Sequence, residues 1–258
     1  MKVLLHGCNG KMGQVMTRII AGTEDMEVVA GVDVSPDKAV NDYPVYASLF
    51  QVKESPDIVI DFSHRSSLDG LLAFGLSRNV PLVICTTGFS AEDKQKMAAA
   101  AERIPILNSP NMSLGVNLLL SLVAQAAQAL SHDFDIEIVE RHHNQKVDSP
   151  SGTAEIIADT INAALGGGME YTYGRHSKND KRRKSEIGIH AVRGGAIVGD
   201  HDVIFAGQGE VIEIKHSVLS RDVFAYGALS AARFLAGKGP GLYSMKDVID
   251  GSRAARRD

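Results

Sequence analysis

From Met1 to about Asn111, short apolar runs alternate with stretches whose apolar residues recur at helical spacing. Val3–Leu5, Val28–Val32, Ile58–Phe62, Leu82–Cys85 and Ile104–Leu107 read as strands, each brief and apolar. Between them, Met12–Ala21 places Met12, Val15, Met16, Ile19 and Ile20 on one helical face. Ser66–Arg78 does the same with Leu68, Leu71, Leu72 and Leu76, and Ala91–Glu102 opens on Ser90 as N-cap. Strands alternating with helices predict an α/β fold with a doubly wound parallel sheet.

After Asn111 the pattern changes. Leu114–Leu130 predicts a long apolar helix, Asp135–Arg141 a strand, and Ser151–Leu165 a helix that ends in Gly166–Gly168. Beyond Ile187, the segments Ala196–Val198, Asp202–Ala206 and Val211–Ser217 read as strands, with Gly199–Asp200 and Gly207–Gly209 as tight turns. Consecutive strands on short turns imply a mixed or antiparallel sheet, hence an inserted α+β domain. A last helix, Phe224–Leu235, is expected to pack back on the first domain. The expected division is 1–112 with 223–258 for one domain and 113–222 for the other.

Composition narrows the function. Hydrophobic residues make up 44% and charged residues 22% of 258 positions, and the net charge is −4. That balance builds a real core, and the charge is too mild to point to nucleic acid or a membrane as partner. The basic run Lys178–Lys184 has no interleaved aromatics and reads as a solvated loop, with a smaller role in steering anions. Two distant cysteines, Cys8 and Cys85, make no disulfide framework. With no secretion-signal pattern and no long apolar span, a cytoplasmic protein is expected.

Chemistry enters at His6-Gly7-Cys8-Asn9-Gly10-Lys11-Met12-Gly13, between the first strand and the first helix. Glycines there allow a tight turn and close approach to a pyrophosphate, which the helix N-terminus then receives. Asn9 stands where the usual pattern has its second glycine, and Asn tolerates left-handed backbone angles. Asp33, at the end of the next strand, is placed to accept from ribose hydroxyls. This is a Rossmann-type dinucleotide-binding unit for NADH or NADPH. Asp33 favours NADH by repelling a 2′-phosphate, and Lys11 offsets that repulsion. Cys85-Thr86-Thr87 and Ser109-Pro110-Asn111-Met112 follow later strands at their carboxyl ends, where open α/β sheets bind ligands.

The richest stretch is Glu140-Arg141-His142-His143-Asn144-Gln145-Lys146-Val147-Asp148-Ser149-Pro150-Ser151-Gly152-Thr153-Ala154. Two histidines and a lysine supply proton donors and cationic hydrogen-bond donors, and Ser151-Gly152-Thr153 open a helix suited to a carboxylate or phosphate. Together they call for an anionic substrate that needs a proton. Lys146 among histidines is expected to release its proton more readily. No metal is expected, because adjacent histidines diverge and no further ligand falls at metal spacing. His190, His201 and His216 read as structural histidines.

This stretch closely resembles the signature of the 4-hydroxy-tetrahydrodipicolinate (dihydrodipicolinate) reductase family. The resemblance extends through Gly7-x-x-Gly10-x-Met12-Gly13, Asp61-Phe62-Ser63, Thr86-Thr87-Gly88-Phe89, Pro110–Asn117, Arg193-Gly194-Gly195, Val198–His201, Glu213-x-x-His216 and Ser220-Arg221. It implies that His142 is the catalytic acid/base and Lys146 the proton donor. It also implies that His143, Gly152 and Thr153, with Ser151 beside them, hold a dicarboxylate substrate. Gly7 to Met12, Asp33, Cys85–Thr87 and Ser109–Met112 would contact the nicotinamide cofactor, and the assembly would be a homotetramer. Many relatives have Gly at Cys85 and an aromatic at Met112, and some have Arg where Val34 stands. Two other readings remain at this stage: another NAD(P)-dependent oxidoreductase of small metabolites, and a non-catalytic NAD(H) sensor that kept the fold.

Overall fold

The structure, a computed structural model, describes residues 1–254, so the tail of the 223–258 segment at 255–258 lies outside the described residues. The chain runs β1 (Lys2–His6), α1 (Lys11–Ala21), β2 (Glu27–Val32), β3 (Val45–Tyr46), β4 (Ile58–Asp61), α2 (Leu68–Arg78), β5 (Leu82–Ile84), α3 (Ala91–Ala101) and β6 (Pro105–Asn108). Next come α4 (Leu114–Leu130), β7 (Asp135–His142), α5 (Gly152–Ala164), β8 (Glu170–Tyr173), β9 (Glu186–Arg193), β10 (Gly199–Ala206) and β11 (Val211–Val218). It ends on α6 (Asp222–Leu235), β12 (Gly241–Tyr243) and α7 (Met245–Ala254). Contacts divide it into two units, Met1–Leu114 with the segment from Asp222 onward, and Gly115–Arg221.

The first unit is a seven-stranded sheet in the order β12-β6-β5-β4-β1-β2-β3. Every neighbouring pair in it is parallel. Its strands read as unbroken apolar runs because both faces are covered. Alternation sends Val3, Leu5, Ile58, Ile60, Val83 and Leu107 to one face, where they meet Met16, Ile20, Ala228 and Leu229 of α1 and α6. Leu4, Val59, Leu82, Ile84 and Ile106 go to the other, under Leu71, Phe74 and Met97 of α2 and α3. The doubly wound α/β expectation is therefore met, with α6 closing the first unit's core. A reciprocal capping box, Ser90 with Asp93, starts α3. Strands β3 and β12, and helix α7, are additions that sequence pattern did not reveal.

The second unit is a mixed sheet, β11-β10-β7-β9-β8. Strand β10 is antiparallel to both β11 and β7, whereas β7 and β8 run parallel to β9. One face packs Ile136, Ile138, Ile187, Ile189, Val203 and Phe205 against Leu119, Val123, Ile157 and Ile161 of α4 and α5. Two expectations need correcting. Ala196–Val198 is not a strand, and Gly199–Asp200 is not a turn, because β10 begins at Gly199. Strand pairing decides this: Asp200 lies opposite Arg141 of β7 and Ser217 of β11. The basic run is not simply solvated either. Arg182 bonds Asp135 and Glu137 and the backbone carbonyls of Ile136 and Glu186, fastening the loop to the sheet.

Candidate functional site

In the first unit, the loops at the carboxyl ends of β1, β2 and β4 surround a cleft of about 260 Å³ lined by His6, Gly7, Gly10, Asp33, Val34 and Phe62, among others. Gly7 has φ +78°, and its missing Cβ leaves room for the backbone of Phe62 and Ser63. At Gly13 a Cβ would run into the carbonyl oxygens of Gly7 and Cys8, so the loop and the first turn of α1 pack backbone to backbone. Gly10 caps α1 without a side-chain bond, which leaves the donors of that first turn to an external anion. Lys11 is exposed beside them. This cradle fits a dinucleotide: a glycine turn, an uncapped helix start, and a carboxylate one strand away.

Asn9 departs from expectation. Its backbone is not left-handed, since Asn79 is the one non-glycine residue with positive φ among those described. It works through its side chain instead. The Asn9 amide donates to the carbonyls of Ser35 and Pro36 at 2.8 and 3.0 Å, and its oxygen accepts from Asn41 at 2.8 Å. Its backbone N–H donates to Asp33 Oδ2 at 3.0 Å, and Ser35 N–H donates to Asp33 Oδ1 at 2.9 Å. The acidic residue is thereby held in one orientation at the rim of the cleft.

Cys8, Cys85 and Met112 belong to the core of this unit. Burial pushes the Cys8 thiol up to about 11 and the Cys85 thiol well above its ordinary value. These positions offer backbone, not reactive side chains, to a ligand. Thr86 donates its hydroxyl to Asp61 at 2.7 Å, and Asp61 also accepts from Ser63 and lies 2.9 Å from His6 Nδ1. Thr87 is exposed beyond it. Ser109 is buried and bonds the Asn111 carbonyl at 3.0 Å, bracing the turn that carries Pro110 and Asn111.

In the second unit, β7 alternates Ile136, Ile138, Glu140 and His142 on its buried face. Glu140, with no exposed surface, is where the apolar face turns polar. It accepts four hydrogen bonds: from His142 Nδ1 at 2.7 Å, from both terminal nitrogens of Arg193 at 2.7 Å, and from Ser151 N–H at 2.9 Å. Burial raises the Glu140 carboxyl, but the bonds from Arg193, His142 and Ser151 outweigh it and hold the group below its ordinary value. An ionised carboxylate only accepts, so His142 Nδ1 carries a proton and Nε2 is the atom left for exchange.

Ser151 is the N-cap of α5, its hydroxyl accepting from Ala154 N–H at 3.2 Å and lying 2.9 Å from His201 Nε2. With its N–H on Glu140 as well, it shapes the helix start. Burial and the nearby His142 lower His201 to about 4, so its ring is neutral where it meets the Ser151 hydroxyl. Gly152 is exposed, with open space where a Cβ would stand, and Thr153 follows it in the first turn. His143 is half-buried. Lys146 pairs with Asp148 at 2.8 Å, so its nearest charge is negative and the expected cationic surroundings are not found. That pairing holds the Asp148 carboxyl below its ordinary value. Sequence reasoning quoted Glu140 and Arg193 within its motifs but gave neither a role, although a charge on the apolar face of a strand demands a partner. Among the described residues no group of three or more His, Cys, Asp and Glu is placed to hold a metal ion, and no helix is long and apolar enough to cross a membrane.

Comparison with known proteins bears on both units. The family described as dihydrodipicolinate reductase matches by its N-terminal part over residues 1–112 and by its C-terminal part over residues 115–249. A 4-hydroxy-tetrahydrodipicolinate reductase of Caldanaerobacter subterraneus subsp. tengcongensis is 54% identical over 248 residues, covering 96% of this chain and 98% of the relative. One of Clostridium tetani is 51% identical over 249 residues, with 96% and 97% covered. Among solved structures, a dipicolinate-bound dihydrodipicolinate reductase from Paenisporosarcina sp. TG-14 superimposes with a TM-score of 0.80 at 27% identity, covering 95% of this chain and 97% of that one. A myo-inositol dehydrogenase from Corynebacterium glutamicum, at 16% identity and a TM-score of 0.54, shares the fold alone. A cleft shaped for a dinucleotide, a carboxylate-held histidine beside a helix start, and matches along nearly the whole sequence lead to one statement: the chain belongs to the dihydrodipicolinate reductase family of NAD(P)H-dependent oxidoreductases.

Proposed function

We propose that this chain reduces 4-hydroxy-tetrahydrodipicolinate to tetrahydrodipicolinate, in the synthesis of diaminopimelate and lysine. The observation that carries the reading is His142, held through Nδ1 by Glu140, on the same carboxylate that fixes the N-cap of α5. A proton-exchanging ring and an anion-receiving helix start are thus joined by one group. That is what a cyclic dicarboxylate needing a proton requires. The dipicolinate in the Paenisporosarcina structure is a planar relative of such a substrate.

The substrate loses its hydroxyl as water, hydride adds at the carbon that lost it, and a proton quenches the charge that develops on the conjugated ring. When bound, the nicotinamide supplies the hydride. His142 Nε2 serves as acid/base, and Lys146 Nζ delivers the proton once a substrate carboxylate competes with Asp148 for it. His143 and the backbone donors of Gly152 and Thr153 receive the carboxylates. Gly7–Met12 would hold the dinucleotide's pyrophosphate, Asp33 would accept from its ribose, and the loops Cys85–Thr87 and Ser109–Met112 would supply further contacts. In this reading, the unit containing β1–β6 binds the cofactor, and the inserted unit binds substrate.

NADH is the preferred cofactor in this proposal, because the fixed Asp33 carboxylate meets a 2′-phosphate with like charge and Val34 offers no compensating cation. The proposed assembly is a cytoplasmic homotetramer formed through the inserted unit. Both helices of that unit cover one face of its sheet, while the other carries Val139, Val192 and Ile204, the second of them 44% exposed. The test is oxidation of NADH or NADPH by the purified protein with freshly generated hydroxytetrahydrodipicolinate. No rate above background with either cofactor would sink the reading.

A further inference from the structure

His142 has two ring nitrogens, and only one can do proton work while the other is tethered. Four features converge on which one. Glu140 takes Nδ1 at 2.7 Å, as an acceptor that offers no proton back. Arg193, directly opposite His142 in the β7–β9 register, clamps both Glu140 oxygens and reaches the Asp148 carbonyl at 2.7 Å. Ser151 N–H fills the remaining side of the carboxylate. On the opposite edge of the ring, Nε2 lies 3.0 Å from where a Cβ of Gly199 would stand, so the glycine that opens β10 keeps that nitrogen clear. The other charged or titratable groups around the ring are His201 of β10, whose ring stands edge-on at 5.3 Å, Asp200 beside it, and the Lys146–Asp148 pair in the following loop.

We infer that Glu140 is a positioning residue for the reaction: it selects Nε2 of His142 as the exchanging nitrogen, with Arg193 holding the carboxylate in place and Gly199 leaving room at Nε2. The inference rests on the proposed reductase function for its kinetic consequences, but its geometric content stands without any substrate. Through Ser151 the same carboxylate sets the first turn of α5, so the proton-exchanging atom and the carboxylate-receiving helix start keep a fixed separation. Such pre-organisation is what a tethered imidazole contributes beyond its chemistry.

The experiment is ¹⁵N NMR of the histidine rings over a pH series, the tautomer being read from the neutral form of the ring, combined with steady-state kinetics. The wild-type ring is expected to carry its proton on Nδ1, and a proton on Nε2 instead would overturn the inference. In Glu140→Gln the acceptor-only group becomes an amide that must turn a donor toward His142 or toward Ser151. The Nδ1–H form should lose its dominance, and kcat should fall about 10²-fold or more, the scale of a lost general acid/base. KM for the nicotinamide cofactor should stay within about twofold, because the mutated group lies outside the cofactor loops. Glu140→Asp, which keeps a carboxylate, should recover the Nδ1–H form and part of the rate. A folded Glu140→Gln protein that keeps either the wild-type tautomer or the wild-type kcat would overturn the inference. Should that variant fail to fold, Gly199→Ala decides: it should leave the tautomer unchanged and lower kcat by crowding Nε2, and unchanged kcat would refute the choice of nitrogen. A wild-type protein inactive on the substrate would sink the reductase reading, while the tautomer would still test Glu140.

Discussion

Replacing Gly13 with alanine sets helix propensity against geometry, and the two predict opposite signs. In a solvent-exposed helix interior, Gly→Ala stabilises by about 1 kcal/mol. At Gly13 the added methyl would meet the carbonyl oxygens of Gly7 and Cys8. Neither oxygen is free to retreat, since Gly7 O accepts from Gly10 N–H at 3.1 Å and Cys8 O from the Gln14 amide at 3.0 Å. Overpacking against atoms that cannot give costs about 3 kcal/mol, the upper end of the usual range. The net is about 2 kcal/mol of destabilisation, which lowers Tm by about 4–8 °C in a chain of this size. The displaced turn also carries the backbone donors of the cofactor cradle, so the Kd for NADH should rise at least about tenfold, equivalent to 1.4 kcal/mol. Differential scanning fluorimetry reads the first effect and quenching of NADH fluorescence the second. A Tm equal to or above wild type would show that the loop relaxes freely and would refute the argument.

Lys146→Ala should cut turnover by about 10² or more while NADH affinity survives, as measured by stopped-flow kinetics beside a binding titration. Asp33→Asn should narrow the preference between the cofactors by improving NADPH affinity, and the ratio of the two kcat/KM values checks it; an unchanged ratio would place the choice elsewhere. Bonds from Arg175 and Arg183 lower the Glu186 carboxyl from its ordinary 4.5 to about 2. Its stabilising contribution is therefore complete above pH 4.5 and is lost as pH falls from there toward 2. Glu186→Gln should flatten the fall of Tm across that window relative to wild type, seen in a pH series of thermal melts.

Much of the fold was legible because its strands are buried on both faces and its helices follow them at regular intervals. Leu114–Leu130 matches α4 at both ends for the same reason, a long apolar run bounded by polar turns. Short elements escaped. Val45–Tyr46 and Gly241–Tyr243 are two and three residues long, and they are strands only because a neighbouring strand offers its edge. Gly199 reads as a turn residue, yet strand pairing and the ring of His142 claim it for β10. In the site, His142, Lys146 and the Ser-Gly-Thr helix start were visible as a linear run. Arg193 was not, because it joins Glu140 through the register of β9 on β7, which no local spacing encodes. Asn9 was misread for a related reason: its partners Ser35, Pro36 and Asn41 arrive from a loop more than twenty residues away.

The split of the first unit around the second has a consequence for how the protein is made. Helix α6 contributes Ala225, Ala228, Leu229, Ala231, Ala232 and Leu235 to the first unit's core, and β12 is needed to finish its sheet beside β6. Both are synthesised after the whole of Gly115–Arg221. At a translation rate of about 5–20 residues per second, the interval between β6 and α6 is on the order of 6–20 s. During that time the edge of β6 has no partner strand and the face that α6 covers is bare. The contiguous unit meanwhile has every strand of its own sheet within one uninterrupted stretch of chain. Vectorial synthesis thus favours an order in which the inserted unit closes first, and the nascent chain depends on shielding of an apolar surface encoded near its beginning.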